Sequence, residues 1–365
     1  MSQAAAPHAG HGSGDASTGG ESRAYAALDL GTNNCRLLIA APTVRGFRVL
    51  DAFSRIVRLG DGLAHTGRLD EAAMDRAVAA LKVCADRIRK RAVPHVRAVA
   101  TQACRTAENG AAFIARVRAE TGLQLDIISP GEEARLSVAG CVTLLDREAD
   151  AALVVDVGGG STELSWVDLT QLTLDPARRP PHPQRLPIKA WLSIPVGVVT
   201  LADRFPELSG ERRAWFARMV QAVKSEIEGF RRADDLRRAF DAGRAHLIGT
   251  SGAITSIAGL HLGLPRYERS RVDGLWMSRA ECDAAAERLI QLDPAERAAQ
   301  PCIGPDRADL VLAGAAILQA VQELWPCSRV RVADRGLREG LLMSLMAKPP
   351  RRRRRGRRGA RPVAA

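Results

Sequence analysis

The residues Asp156 to Glu163 (DVGGGSTE) hold the densest chemistry in the sequence. Gly158, Gly159 and Gly160 allow a turn tight enough for consecutive N–H groups to point at one anion, and Ser161 and Thr162 add hydroxyl donors. Asp156 and Glu163 set two carboxylates beside those amides, where bare charge would repel a phosphate unless a hard cation stood between them. The pattern therefore points to phosphate chemistry with magnesium. Glycine-rich hairpins with solvated acids are common, so this stretch cannot carry the reading alone.

A second stretch repeats the design. In AYAALDLGTNNCRLLIA an apolar run ends at Asp29 and is followed by Gly31, Thr32, Asn33 and Asn34, small residues able to donate to phosphate oxygens. Two such units far apart in the chain suggest a duplicated domain, each half offering one loop to a shared cleft. A third turn, HLIGTSGAITSIAGL, places Gly249, Thr250, Ser251 and Gly252 before a helix starting near Ala253, whose N-terminus is an anion site. Arg105, in TQACRTAENG, sits just beyond a short strand, where ligands approach open α/β sheets. It is either a phosphate clamp or a surface residue, and alone the second is commoner. In SPGEEARLSVAG, Ser129 as N-cap, Pro130 at the first helical position and Glu132 read as a capping box, which leaves Glu133 free to orient and deprotonate a water. Acids at helix starts often serve the dipole only, so Glu133 depends on the loops around it.

These residues need a scaffold of alternating strands and helices. Residues 151–155 read as a strand buried on both faces, 24–40 as strand, turn and strand, and 96–100, 125–129, 246–248 and 330–332 as further strands. Helices are expected over 70–92, from 130 onward, over 211–240, over 310–325 and in a closing segment at 334–347. Residues 168–190 hold five prolines and read as an irregular loop.

With 365 residues, 46% hydrophobic and 4% aromatic, the chain has the length for two α/β domains. It has no apolar run of bilayer length and no signal-peptide pattern, so a cytoplasmic location is expected. Seven scattered cysteines, with no CxxC pair, read as reduced buried thiols, and no HExxH or Walker lysine motif occurs. Of the net charge of +12, nine positive charges lie in Lys348 and the eight arginines between Arg351 and Arg361, so the globular part is nearly balanced. The head (1–23) and this Arg-rich tail (348–365) are expected to be disordered.

The ordered series DLGTNNCRLLIA, ATQACRTAENG, SPGEEARLSVAG, VVDVGGGSTEL, IGTSGAITSIAGL and VADRGLREGLL resembles the exopolyphosphatase and guanosine pentaphosphate phosphatase family over roughly residues 24–347. That resemblance implies an α/β fold of the actin, Hsp70 and sugar-kinase superfamily, with two ribonuclease-H-like lobes around a central cleft. The lobes would span 24–141 and 142–333, with 334–347 packing back on the first. It also implies Mg²⁺-dependent release of the terminal phosphate from inorganic polyphosphate or from guanosine pentaphosphate (pppGpp), a compound of the stringent response, and a homodimer.

Residue by residue, the family's catalytic base falls on Glu133 and its phosphate-contacting arginine on Arg105. Metal-associated acids fall on Asp156 and Glu163, joined by Asp29. The phosphate-binding set comprises Gly31, Thr32, Asn33, Asn34, Arg36, Gly158, Gly159, Gly160, Ser161, Thr162, Gly249, Ser251 and Gly252. The chain departs from the pattern at Thr32 and Asn34, where serines are usual, and at Pro130, where a glycine commonly follows the serine. It also ends soon after the closing helix, so the C-terminal HD-like domain of the long members is expected to be absent. The competing readings are an ATP-dependent sugar kinase or Hsp70-like ATPase on the same fold, and a nucleic-acid binder working through the Arg tail. The Glu-Glu-Ala helix favours water as the nucleophile.

Overall fold

The computed structural model describes residues 24–173, 181–207, 210–230 and 233–347, so the head, the Arg-rich tail and residues 174–180 of the proline-rich segment lie outside the described residues. Among the described residues eleven strands form two sheets, most of them built from apolar, β-branched runs. The first contains β1 (Tyr25–Leu30), β2 (Asn34–Thr43), β3 (Gly46–Ile56), β4 (His95–Ala100) and β5 (Leu125–Ile127), in the order β3-β2-β1-β4-β5. β1, β2 and β3 form an antiparallel meander, and β4 and β5 run parallel to β1. The second contains β6 (Ala151–Val157), β7 (Thr162–Asp168), β8 (Ile188–Ile194), β9 (Ala245–Thr250), β10 (Trp276–Ser278) and β11 (Arg329–Ala333). Read from β8, its order is β8-β7-β6-β9-β11-β10, the same plan with one antiparallel strand added at the edge. Each sheet is thus ribonuclease-H-like, and β1–β2 corresponds to β6–β7.

Each lobe has its own core. Leu28, Leu30, Leu37 and Ile39 pack with Val78, Leu81 and Cys84 of the helix Glu71–Lys90, while Leu153, Val155 and Leu247 pack with Met219, Ile257, Ile317 and Val321. Between the sheets lie the helices Pro130–Cys141 and Leu337–Met346, which cover β1 and β4 through Leu136, Leu337, Leu341 and Leu342 and touch β6 and β9 through Val138 and Cys141. The approach is close enough to require glycine: a Cβ at Gly140 would fall 2.0 Å from the Gly336 oxygen, and one at Gly340 2.0 Å from the Leu136 oxygen.

Several elements differ from the sequence reading. The helix expected over 211–240 is two, Arg212–Ile227 and Ala233–Asp241, and the strand at 125–129 stops at Ile127. β3 escaped notice because it is an edge strand whose side chains are largely exposed, so it lacks an apolar run. β10 is only three residues long. The 168–190 segment holds two single 3₁₀ turns, Leu169–Gln171 and Pro183–Arg185, and the start of β8. All seven cysteines are buried and unbridged. Among the described residues no helix is long and apolar enough to cross a membrane.

Candidate active site

The β1–β2 and β6–β7 turns meet at the centre of the molecule. A Cβ at Gly159 would stand 3.0 Å from the Asn33 nitrogen, and one at Gly160 2.7 Å from Thr32 Oγ1, so the two loops approach this closely because glycine occupies both places. The turns close through Gly31 N–H to the Asn34 oxygen and Gly158 N–H to the Ser161 oxygen, both 2.9 Å. That leaves the amides of Thr32, Asn33, Gly159, Gly160 and Ser161 without a partner among the described residues. In the first loop Asp29 Oδ1, Thr32 Oγ1, Asn33 Oδ1 and Asn34 Oδ1 are also buried and unpartnered. Such a concentration of unsatisfied polar atoms is what a ligand-binding wall shows, since buried polar groups are otherwise nearly always bonded. The cleft encloses about 130 Å³.

Glu133 enters this cleft from the first turn of the Pro130–Cys141 helix and is 8% exposed. Burial, then the charge of Glu163, pushes its carboxyl well above the usual range, and Arg105 opposes this. Arg105 donates to Glu133 Oε2 (3.1 Å), to the Ile128 oxygen (2.7 Å) and to Gln102 Oε1 (2.5 Å), which fixes its fork behind the carboxylate. Its position makes it an orienter of Glu133 rather than part of the cleft wall. The capping box is half made: Ser129 Oγ accepts from Glu132 N–H at 3.2 Å, but the Glu132 carboxylate turns outward to pair with Arg97. Glu132 and Glu133 thus have different partners, Arg97 for the first and Arg105 for the second.

Five more carboxylates line the cleft: Asp334 and Glu339 beside the closing helix, and Asp29, Asp156 and Glu163 at the two hairpins. Burial raises Asp29 to about 6, with Arg36 opposing, and raises Glu163 to about 7, with Asp156 adding to it. Asp156 is likewise raised by burial. Two serines hold these acids: Ser137 Oγ donates to Asp156 Oδ2 (2.5 Å) from one turn beyond Glu133, and Ser193 Oγ donates to Glu163 Oε1 (2.7 Å) from β8. Among the described residues no three His, Cys, Asp or Glu side chains converge as a closed metal cage. The donor set nonetheless fits magnesium, which is usually held by one or two carboxylates together with water and phosphate oxygens, and the unpartnered Asp29 Oδ1 is a suitable oxygen.

Three guanidinium groups also gather on the cleft lining, with Asp334 and Glu339 among them. A Cβ at Gly252 would lie 3.5 Å from both Arg36 Nη2 and Arg307 Cζ, so two guanidinium groups flank the start of the Gly252–His261 helix. Arg338 joins them; burial and the Arg338 charge lower the pKa of Arg36. Ser251 adopts φ 147° and ψ 175°, a region almost reserved for glycine, and its Oγ accepts from the amides of Ala253 and Ile254 at 3.2 Å. A non-glycine residue held there costs about 1–3 kcal/mol and marks a site where geometry outweighs comfort.

The structure therefore brings Asp29, Gly31, Thr32, Asn33, Asn34, Arg36, Glu133, Asp156, Gly158, Gly159, Gly160, Ser161, Glu163, Ser251 and Gly252 onto one wall. Three of the expected residues stand off it: Arg105, which lies behind Glu133, and two that face elsewhere. Thr162 Oγ1 donates to the Val196 oxygen at 2.7 Å inside the sheet, and Gly249 packs in β9, where a Cβ would meet Ile254 Cγ2 at 3.1 Å. The sequence reading lacks Gln102, Arg307, Asp334, Arg335, Arg338 and Glu339 on the wall, and Ser137 and Ser193 behind it. The segment VADRGLREGLL had stood out as a motif, and it is the one signal that pointed toward Arg338.

The family model of the Ppx/GppA phosphatase family matches residues 38–349. Among solved structures, an exopolyphosphatase-like protein is 28% identical, with a TM-score of 0.73, over 88% of this chain and 98% of that one. A Ppx/GppA family member from Aquifex aeolicus is 26% identical, with a TM-score of 0.69, over 88% and 96%. An exopolyphosphatase from Cytophaga hutchinsonii shares the fold at 24% identity, with a TM-score of 0.75, over 87% and 96%.

Proposed function

The chain belongs to the Ppx/GppA phosphatase family, and on that premise we propose that it releases the terminal orthophosphate of inorganic polyphosphate, of guanosine pentaphosphate, or of both, by attack of water. The observation that carries this reading is Glu133, a buried carboxylate oriented by Arg105 and facing two loops whose amides are open to an anion.

In this reading the terminal phosphate rests on the amides of Thr32, Asn33, Gly159, Gly160 and Ser161, and Glu133 accepts the proton of a water aimed at phosphorus. Arg105 favours the charged form of Glu133 and keeps it from turning away. Arg36, Arg307 and Arg338 hold the phosphates that follow the scissile bond and offset their charge. Magnesium, held by Asp29, Asp156 and Glu163 with their serine supports, would neutralise charge building on the transferred group. Phosphoryl transfer asks little covalent work of the protein, so positioned charge supplies most of the catalysis. The Arg-rich tail adds a second anion-binding element for long chains, and two copies of the protein form the working unit.

Phosphate release by the purified full chain with Mg²⁺, measured on polyphosphate, guanosine pentaphosphate and ATP, tests the reading. Turnover on either of the first two, lost on chelation, is the expected result. Turnover on ATP alone would shift the reading to an ATPase on the same fold.

A further inference from the structure

A second recess, of about 820 Å³, lies on the outer side of the Pro130–Cys141 helix, away from the cleft. Its lining comes from both lobes and includes Arg97, Gly131, Arg135, His182, Trp191 and Ser344. None of these belongs to the catalytic wall.

Its charge is positive. Glu132 is committed to Arg97, Arg135 among the described residues reaches only the Gly131 oxygen at 3.5 Å, and Arg185 is exposed beside the recess. His182 responds to this field: burial, then the charges of Arg185 and Arg97, lower its pKa. The described chain ends at Ala347 on the rim, and the sequence continues with Lys348 and eight arginines. The charge of the recess matches a polyanion.

Trp191 says which polyanion. It is 46% exposed although large and apolar, and its indole lies on the first helical turn, where a Cβ at Gly131 would come within 2.8 Å of Cζ2. The glycine thus lets the ring lie close against the helix, and nearly half of the residue stays open to solvent. A chain of bare phosphates has nothing to stack on an indole, whereas a nucleobase does, and an aromatic platform set among arginines is how single strands are held without sequence preference. We propose that this recess binds single-stranded RNA, with a base stacked on Trp191 and the flanking phosphates held by Arg135 and Arg185.

The test uses the full chain and fluorescence anisotropy of a labelled oligouridylate of about a dozen nucleotides, with long polyphosphate as a parallel ligand. Trp191→Ala should weaken RNA binding roughly tenfold while Trp191→Phe stays near the parent. The pair Arg135→Ala and Arg185→Ala should weaken it too and flatten its salt dependence. Thermal melting of each variant confirms folding, and the arginine pair, being on the surface, keeps the test valid if Trp191→Ala melts early. Unchanged RNA affinity in Trp191→Ala, or an equal loss of polyphosphate affinity in it, overturns the proposal, the second because the recess would then read phosphates and not bases.

Discussion

The two hairpins at the centre of the molecule align without a gap, DLGTNNCR against DVGGGSTE, and differ most at their last residue. In the first, Asp29 pairs across the strands with Arg36; in the second, Asp156 pairs with Glu163. One scaffold therefore presents an acid and a guanidinium on one lobe and two acids on the other. The first hairpin partly balances its own charge and carries Arg36 toward the Arg307 cluster. The second cannot balance itself, and the charge of Asp156 adds to burial in raising the cost of ionising Glu163. Under the proposed function, duplication has yielded an anion-holding half and a cation-holding half, with Glu133 delivered between them.

The largest expected effect lies at that meeting point. Glu133→Gln keeps the shape but cannot take a proton, and should lower kcat about 10²–10⁴-fold with substrate binding retained. Loss of binding instead of turnover would show that Glu133 serves the loops and not the water.

The comparison itself is broken or kept by paired variants. Asp156→Asn or Glu163→Gln should raise the Mg²⁺ concentration needed by at least about tenfold, whereas Arg36→Met should raise KM for substrate and leave the Mg²⁺ requirement alone. If all three move the same parameter, the division of labour between hairpins is wrong. Ser137→Ala and Ser193→Ala sharpen it, because each frees a carboxylate without deleting it. Each should weaken binding of Mn²⁺, followed directly by electron paramagnetic resonance, by roughly tenfold, near the lower end of what supporting residues contribute.

A smaller effect concerns pH. Asp29 is raised from 3.8 to about 6 and Glu163 from 4.5 to about 7 in the folded protein, so between pH 4.5 and 7 these two groups hold protons when folded that they release in the unfolded chain. Their contribution to stability falls as pH rises through that window, the reverse of an ordinary salt-bridged carboxylate, while buried His246, lowered to about 4, acts in the opposite sense. Without metal, the melting temperature should be lower at pH 7.5 than at pH 5.5, and Mg²⁺ should reduce the difference. Asp29→Asn should flatten the profile, and a profile equally steep in that variant would remove Asp29 from the account. The smallest effect is expected from deleting residues 349–365: a rise of a few-fold in KM for long polyphosphate at low salt, with kcat and short substrates unaffected, because only a long chain reaches tail and cleft together. Unchanged kinetics on long chains would confine anion holding to the first lobe and its neighbours.

Both hairpins could be read from the sequence because a tight turn is decided by adjacent residues: an apolar strand, an acid at its end, then glycines and small donors. Glu133 was legible for a similar reason, since Ser129 and Pro130 fix where its helix begins, although only the structure shows Glu132 paired to Arg97 instead of closing the cap. Thr162 and Gly249 were misplaced because a strand alternates its faces, and which face meets the cleft depends on the neighbouring strands rather than on the loop before it. Arg307 and Arg338 reach Arg36 across more than two hundred residues of chain, and Arg105, itself bonded to Gln102, meets Glu133 only because the end of β4 lies beside the start of the Pro130–Cys141 helix. Nothing local encodes those meetings. The sequence by itself determined the turns, the helix start and the residue types that phosphate chemistry requires; the stacking of two sheets around glycine-tight helices decided which of those residues face one another.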